Sequence, residues 1–563
     1  MVNNTYDAIV VGSGISGGWA AKELTEKGLK VLMLERGENV EHVKDYTNTH
    51  KNLWDYPHHG RPSQEALASQ PVMARGKGYP FNEVTMGAWA DHKTSPYVEK
   101  EPFQWFRAYQ VGGRSLLWGR QSYRLNPEDF EANAKEGVAI DWPIRYNDIA
   151  PWYSYVEKFA GISGNKDGLD VLPDGDFLPA FEMNAVEKDL AARLKKQYKG
   201  ERHMIMGRTA HITEHRPEQG RGKCQNRDKC WTGCPWGGYF STQSATLPAA
   251  LKTGNLTLRP MSIVKELIYD KDKKRVTGVE VIDAETRETI VYKSKIVFLN
   301  ASTLNSAWVL MNSARDVWDN GLGSSSGELG HNVMDHHYML GGAADIPGHL
   351  DKYVYGRRPT GIYIPRFANW GNDKRDFLRG FGFQGNAERQ SFNRDADGLG
   401  IGATLKQTLS EPGKWTMRTV GFGEILPDHR NKVTLSKTVT DAWGLPVLEM
   451  DAKIRDNEIK MRKAMKEDIV EMFDSIGLKN AQAWESTYHM GKGIHEMGTA
   501  RMGRDPKTSV LNKHNQVWDA PNVFVTDGAC MTSSSCVNPS LTYMALTARA
   551  ADFAVEELKR GNL

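Results

Sequence analysis

Across its 563 residues the chain has no apolar run that approaches 18 residues, and its mean hydropathy is −0.55, so no helix of it is expected to span a bilayer. It shows no apolar leader and no twin arginine ahead of its first strand-like segment; if it works outside the cytoplasm, something else is expected to carry it there. An excess of one charge is missing too. Lys+Arg 72 stand against Asp+Glu 69, a net +3, and the basic residues are scattered without a run that would follow a phosphate backbone. Nucleic acid is therefore not an expected partner. Internal repeats and low-complexity tracts are absent. What the chain has is length: 563 residues is long for one core, which predicts two or more intertwined domains able to bury a large cofactor. Its 16 tryptophans suit sugar stacking, but equally suit large cores.

The amino terminus carries a nucleotide site. Tyr6 to Val11 reads as a buried strand and runs into Gly12-Ser13-Gly14-Ile15-Ser16-Gly17-Gly18; a helical stretch (Trp19 to Lys27), Gly28, a second strand (Lys30 to Leu34) and Glu35 follow. Glycines at 12, 14 and 17 let the backbone turn sharply and approach a pyrophosphate at a helix N-terminus, where unpaired N–H groups favour anions. Glu35 is placed to accept from ribose hydroxyls, and its charge would repel a 2′-phosphate.

Residues 38 to 100 are polar, broken by Gly and Pro and rich in aromatics, which reads as a long excursion or lid. Val111-Gly112-Gly113-Arg114-Ser115-Leu116-Leu117-Trp118-Gly119 is a second glycine-bearing turn. Lys295 to Asn300 reads as a buried strand, with Ala301 to Ala307 opening a helix. Thr416 to Glu424 and Lys432 to Leu435 alternate as half-buried antiparallel strands do. The end returns to the first pattern: strand Asn522 to Val525, Asp527-Gly528, and a helix from about Ser540 to Lys559 that stops at Gly561.

Three of the five cysteines form Cys224-x5-Cys230-x3-Cys234-Pro235 in a loop full of Gly and basic residues. Thiolates at this spacing suit a soft metal rather than a disulfide, and glycine-rich N–H groups can bond cluster sulfides. Three ligands suit a three-iron cluster better than a four-iron one. A structural zinc with His211 or His215 as fourth ligand, and metal-free thiols, are the alternatives. Cys530 and Cys536 read as ordinary buried thiols.

Alcohol oxidation by hydride transfer needs a base for the hydroxyl proton and a second polar group to direct that hydroxyl. His495, opening His495-Glu496-Met497-Gly498-Thr499-Ala500-Arg501-Met502-Gly503, is the candidate base. Asn538, where the last helix begins, is its candidate partner. His489 and the Asp335-His336-His337 cluster read as structural. Gln384, Asn386 and the tryptophans are unranked candidates for a sugar subsite.

Gly12/Gly14/Gly17 with Glu35, the Gly112-Gly113 loop, the His495 motif and Asn538-Pro539 together resemble the glucose-methanol-choline (GMC) family of FAD-dependent oxidoreductases, over almost the whole chain. The resemblance implies an α/β architecture: a Rossmann-type FAD-binding domain with an interleaved substrate domain on an antiparallel sheet. It implies residues 1–37, 101–150, 220–335 and 495–563 for the FAD domain, 38–100 for the lid, and 151–219 with 336–494 for the substrate domain. Flavin contacts are expected at Gly12, Gly14, Gly17, Glu35, Gly112, Gly113, Ser115, Val264, Ala301, Asp527, Gly528, Asn538 and Pro539, with His495 as base and Asn538 as its partner. Leu117 stands where related pyranose oxidases carry the histidine joined to FAD, which predicts a non-covalent flavin.

The cysteine run looks like that of the bacterial sugar dehydrogenase branch, whose catalytic subunit holds a [3Fe-4S] cluster and passes electrons to a cytochrome. Phe298 to Ser302 and Cys234 to Thr242 look most similar to glucoside 3-dehydrogenases, which oxidise the C3 hydroxyl of glucosides. That likeness implies a small subunit bearing an export signal, a cytochrome c acceptor and a periplasmic site of work, the cytoplasm being the other option. The rivals are an oxygen-reducing sugar oxidase and a non-enzymatic flavoprotein or sugar sensor whose cysteine loop holds zinc.

Overall fold

Ala8, Ile9 and Val10, Val31 and Met33, and Ile296 to Leu299 are all buried to within a few per cent. Strands this apolar on both faces pair in parallel between layers of helix. In the structure, a computed structural model that describes residues 4–76, 80–354, 359–391, 394 and 398–563, they do so. The parallel sheet runs in the order Ala520–Val525, Thr289–Leu299, Thr5–Val11, Val31–Leu34, Leu256–Arg259. A hairpin of Ser262–Asp270 and Arg275–Asp283 is added antiparallel to Thr289–Leu299.

The helix after the first strand spans Ile15–Glu26, so the glycines read as a turn at 17 and 18 lie inside it. Tertiary closeness explains them. A Cβ on Gly17 would sit 1.9 Å from the Gly12 carbonyl oxygen, so the helix meets the strand only where side chains are missing. Ala20, Ala21 and Leu24 share one core cluster with Ala550, Ala551 and Ala554 of the last helix. That helix spans Ser540–Lys559, the bounds the sequence predicts.

A six-stranded antiparallel sheet forms the second layer, in the order Lys479–Glu485, Leu340–Ile346, Trp415–Gly423, Phe381–Arg389, Ile362–Ile364, Ile205–Met206. Helix Asp456–Ser475 covers one face with Met461, Met465, Ile469, Met472 and Phe473, which pack with Phe381, Phe383 and Met417. Each such buried side chain contributes about 1.5–3 kcal/mol. Period-two alternation then turns Gln384 to the opposite face, in register with Tyr363 and Val420.

The excursion over 38–100, described apart from 77–79, holds only short helices such as Gln64–Ser69 and the two-residue strand Val98–Glu99. The 150/151 boundary falls inside the helix Tyr146–Ala160. Strand Lys432–Thr440 pairs with Pro446–Asp451, which in turn pairs with Val98–Glu99, and the first two supply Val433, Leu448 and Met450 to the nucleotide-side core. Among the described residues no helix is long and apolar enough to cross a membrane.

Candidate active site

A cleft follows the carboxyl ends of the parallel strands, where Val11, Leu34, Asn300 and Asp527 line it. Of the residues expected to touch a flavin, Gly12, Gly14, Glu35, Gly113, Ser115, Val264, Ala301, Asp527, Gly528 and Asn538 line it. Gly17, Gly112 and Pro539 do not. Gly17 serves the helix–strand contact, Gly112 has φ +84° with its Cα against the Gln243 amide, and Pro539 is the N-cap residue of the last helix.

The wall fits the expected cofactor. Gly14 has no heavy atom within 4 Å of where a Cβ would stand, so its missing side chain opens onto the cleft at the N-terminus of Ile15–Glu26. Glu35 is buried and accepts from the Ser13 N–H (3.1 Å), the Ser13 hydroxyl (2.5 Å) and the Gly37 N–H (3.1 Å), while burial raises its pKa. Ser16 Oγ and Asn300 Nδ2 are buried cleft-lining atoms without a hydrogen-bond partner among the described residues. Buried polar groups are normally satisfied, so both are available to a ligand. Leu117 is a buried apolar side chain on the same wall.

His495 is held by its backbone. Its N–H donates to Asp335 Oδ1 (3.0 Å), and the Gly493 N–H donates to Asp335 Oδ2 (2.9 Å). Downstream, Met497 pairs with Met334, and Gly498 donates to the Gly528 carbonyl. Gly498 has φ +98°, and a Cβ there would lie 2.1 Å from the Asn332 carbonyl oxygen, which accounts for the glycine in this motif. Arg501 ties the loop to Glu328 and Asn332. Ile494, β-branched and at φ +58°, is strained next to His495, and Ser535, whose carbonyl meets His336, stands at φ +55°.

The ring of His495 faces His336, Nδ1 to Nδ1 at 2.8 Å. The far nitrogen of His336, Nε2, lies 2.8 Å from the Ser535 carbonyl, which can only accept, so Nε2 carries a hydrogen. Burial pushes the His336 pKa down to about 4, so its ring is neutral and Nδ1 is a lone pair. The hydrogen between the rings therefore belongs to His495 Nδ1, and His495 Nε2 is left as an acceptor. Burial, then His336 and Arg114, hold the His495 pKa well below its ordinary value.

The structural reading of the Asp335-His336-His337 cluster is thus corrected for its first two members, which position His495. All three adjacent ionisable residues are fully buried, which is unusual, but burial is not visible in the sequence, so the sequence carried no signal for them. His337 keeps a structural place: burial lowers its pKa and neither ring nitrogen has a partner among the described residues. Asn538 lines the same cleft as His495, with its Oδ1 accepting from Gln384 Nε2 at 2.5 Å. Arg114, also on the cleft, pairs with buried Glu496 at 2.8 Å.

The cysteine loop packs beside this cleft. Trp231, adjoining Cys230, lines it, and Arg120 donates to the Leu116 carbonyl (2.6 Å) and the Cys230 carbonyl (3.2 Å). Cys224 Sγ accepts from the Asn226 N–H (3.5 Å) and Cys234 Sγ from the Gly238 N–H (3.3 Å). Cys230 Sγ lies 3.6 Å from His211 Nε2, and His215 is exposed. Burial pushes the Cys224 thiol up to about 11, and its cysteine neighbours add to that. Among the described residues no three His, Cys, Asp or Glu are drawn together as one ion requires. All three cysteines are half-buried thiols, a soft donor set of the kind iron or zinc takes. Cys530 and Cys536 are free and buried.

The N-terminal sequence model of the GMC oxidoreductase family matches residues 6–338, and the C-terminal one matches 427–547. The chain is 28% identical to 2-methyl-1,2-propanediol dehydrogenase of Mycolicibacterium austroafricanum, over 97% of this chain and 94% of that one. It is 24% identical to the fructose dehydrogenase large subunit of Gluconobacter japonicus over the full length of both. The crystal structure of pyridoxine 4-oxidase from Mesorbium loti superposes with a TM-score of 0.59 at 18% identity, covering 98% of this chain and 99% of that one, which shows a shared fold.

Proposed function

We propose, since this chain belongs to the GMC oxidoreductase family, that it is an FAD-dependent dehydrogenase oxidising a secondary hydroxyl of a sugar or glycoside, at C3 of glucosides, with electrons leaving through an iron–sulfur cluster. The observation that carries the reading is that His495 and Asn538 line one cleft, with the cysteine loop packed against that cleft through Trp231 and Arg120.

The residues divide the work as follows. His495 Nε2, kept neutral and unprotonated by His336, takes the hydroxyl proton. The Asn538 amide holds the same oxygen. The Ile15–Glu26 N-terminus and Glu35 would hold the dinucleotide, and Leu117 offers no nucleophile, which supports a non-covalent flavin. When bound, FAD accepts the hydride from carbon. Cys224, Cys230 and Cys234 would hold a [3Fe-4S] cluster, which passes electrons on one at a time. The likeness to a protein named as a large subunit supports a smaller companion chain; a cytochrome c acceptor and co-export to the periplasm belong to the proposal.

The test is iron and sulfide per flavin in anaerobically purified protein, followed by methyl glucoside with the flavin absorbance under observation. About three irons per FAD, prompt bleaching and a 3-keto product are expected. Iron-free protein whose bleaching reverses in air with release of peroxide would instead be an oxidase.

A further inference from the structure

We infer that Gln384 is a positioning residue that decides which end of the Asn538 amide faces the reacting hydroxyl, so that His495 and Asn538 present one acceptor and one donor to the same oxygen. The inference rests on the proposed alcohol oxidation at this pair.

As His495 Nε2 takes the hydroxyl proton, the oxygen left behind gains negative charge. A second acceptor beside it would repel that charge, whereas an N–H would stabilise it. The amide of Asn538 has both ends, and rotation about its last torsion is broad and two-fold, so the side chain alone does not choose between them. In the structure Gln384 meets the carbonyl end. Its Nε2 donates to Asn538 Oδ1 at 2.5 Å, which engages the carbonyl and leaves Nδ2 for the cleft.

Gln384 is suited to this task by where it stands. It is 9% exposed and is not part of the cleft wall that includes Asn538 and His495. Its strand, Phe381–Arg389, is anchored on the other face by Phe381 and Phe383 in the core, and is paired on both edges. Asn538 precedes Pro539 at the head of the last helix, so its backbone is fixed as well. Two rigid elements 154 residues apart thus meet through one polar bond whose direction matters.

The experiment is anaerobic stopped-flow reduction of the FAD-loaded enzyme and of two variants, Gln384→Glu and Gln384→Leu. The probe is the fastest reducer among methyl glucoside, fructose and 2-methyl-1,2-propanediol. The Gln384→Glu carboxylate only accepts, so it should capture Asn538 Nδ2 and turn Oδ1 to the substrate. Its limiting reduction rate should fall about 10²–10³-fold, the loss seen when one preorganised donor is removed. Gln384→Leu, which leaves the amide free to turn, should fall less, and neither variant should shift the half-saturating concentration much.

Limiting rates like those of the unaltered enzyme would overturn the inference. So would a loss confined to half-saturation, which would make Gln384 a sugar contact, or a Gln384→Leu variant slower than Gln384→Glu, which would make it packing. If methyl glucoside and fructose fail to bleach the unaltered enzyme while the diol succeeds, the sugar reading fails and the Gln384 comparison still stands on the diol.

Discussion

His336 Nδ1 and His495 Nδ1 lie 2.8 Å apart, and one hydrogen has to sit between them. The Ser535 carbonyl settles its ownership from the far side of the His336 ring, so a backbone oxygen two hydrogen bonds removed from the cleft sets the tautomer of His495. An orienting partner of this kind matters greatly in catalysis: imposing the wrong tautomer on a catalytic histidine costs about 10⁴-fold in a serine protease. His336→Leu only withdraws the preference, so its flavin reduction should fall less, by about 10²-fold, with bound flavin retained. His495→Ala should lose about 10²–10⁴-fold. Stopped-flow traces that match the unaltered enzyme in His336→Leu would remove His336 from the mechanism.

Asp335 gives the site a pH limit. Burial, with Glu496 adding to it, pushes this carboxyl up to about 6. As a carboxylate it accepts from the Gly493 and His495 N–H groups and from the Tyr488 hydroxyl (3.1 Å). Protonation makes one oxygen a donor and displaces one of these, so flavin reduction should decline below about pH 6. The stability contribution runs the other way. A pKa raised from 3.8 to about 6 means the folded state binds the proton more tightly, so the contribution is full below about pH 4 and lost as pH rises through 6. The loss is about 3 kcal/mol at most. Asp335→Asn removes that loss, while Asp527, also raised to about 6, remains in both proteins and cancels in the comparison. Melting curves at pH 4, 5 and 6 should therefore fall less steeply in Asp335→Asn. Parallel curves would place the titration elsewhere.

What the sequence disclosed was what neighbouring residues encode. The opening strand, glycines and Glu35 lie within one βαβ unit, and the last helix is bounded by Asn538-Pro539 before it and Gly561 after it, so spacing alone located them. The orienting groups were hidden for the opposite reason. His336 meets His495 across 159 residues and Gln384 meets Asn538 across 154, contacts that exist only once the antiparallel layer closes on the nucleotide layer. The helix at Ile15 also began earlier than spacing implied, because Gly17 and Gly18 answer to a tertiary contact rather than to local propensity.

Gly14 and Gly12 should respond differently to substitution. Gly14 has φ −64° and ψ −163°, a conformation open to any residue, and its Cβ position faces the cleft. Gly14→Val should therefore fold and yet lose flavin, because the branched side chain stands where the pyrophosphate passes. Gly12 has φ +92°, and a Cβ there would lie 2.4 Å from the Asn300 carbonyl oxygen, so Gly12→Val should damage the fold itself. Circular dichroism melts together with flavin absorbance separate the two. A Gly14→Val protein that keeps its full flavin would mean that the dinucleotide takes another path.

The cysteine loop makes a prediction that sugar oxidation alone does not test. If Cys224, Cys230 and Cys234 carry electrons away from the cleft, removing one thiol should disconnect the exit while sparing the entrance. Cys234→Ser keeps the loop geometry that rests on backbone bonds, such as Gly237 N–H to the Cys234 carbonyl (2.9 Å), but weakens a soft-metal ligand. Iron per flavin should drop sharply, reduction of the flavin by sugar should persist at nearly its ordinary rate, and turnover with a one-electron acceptor such as cytochrome c should collapse. Arg120 makes the division plausible, since it ties the Cys230 carbonyl to the Leu116 carbonyl while itself lining the cleft, so the two sites share a wall and not a ligand. Unchanged cytochrome c turnover in an iron-depleted Cys234→Ser protein would route the electrons directly from the flavin edge and leave the three thiols with a structural task.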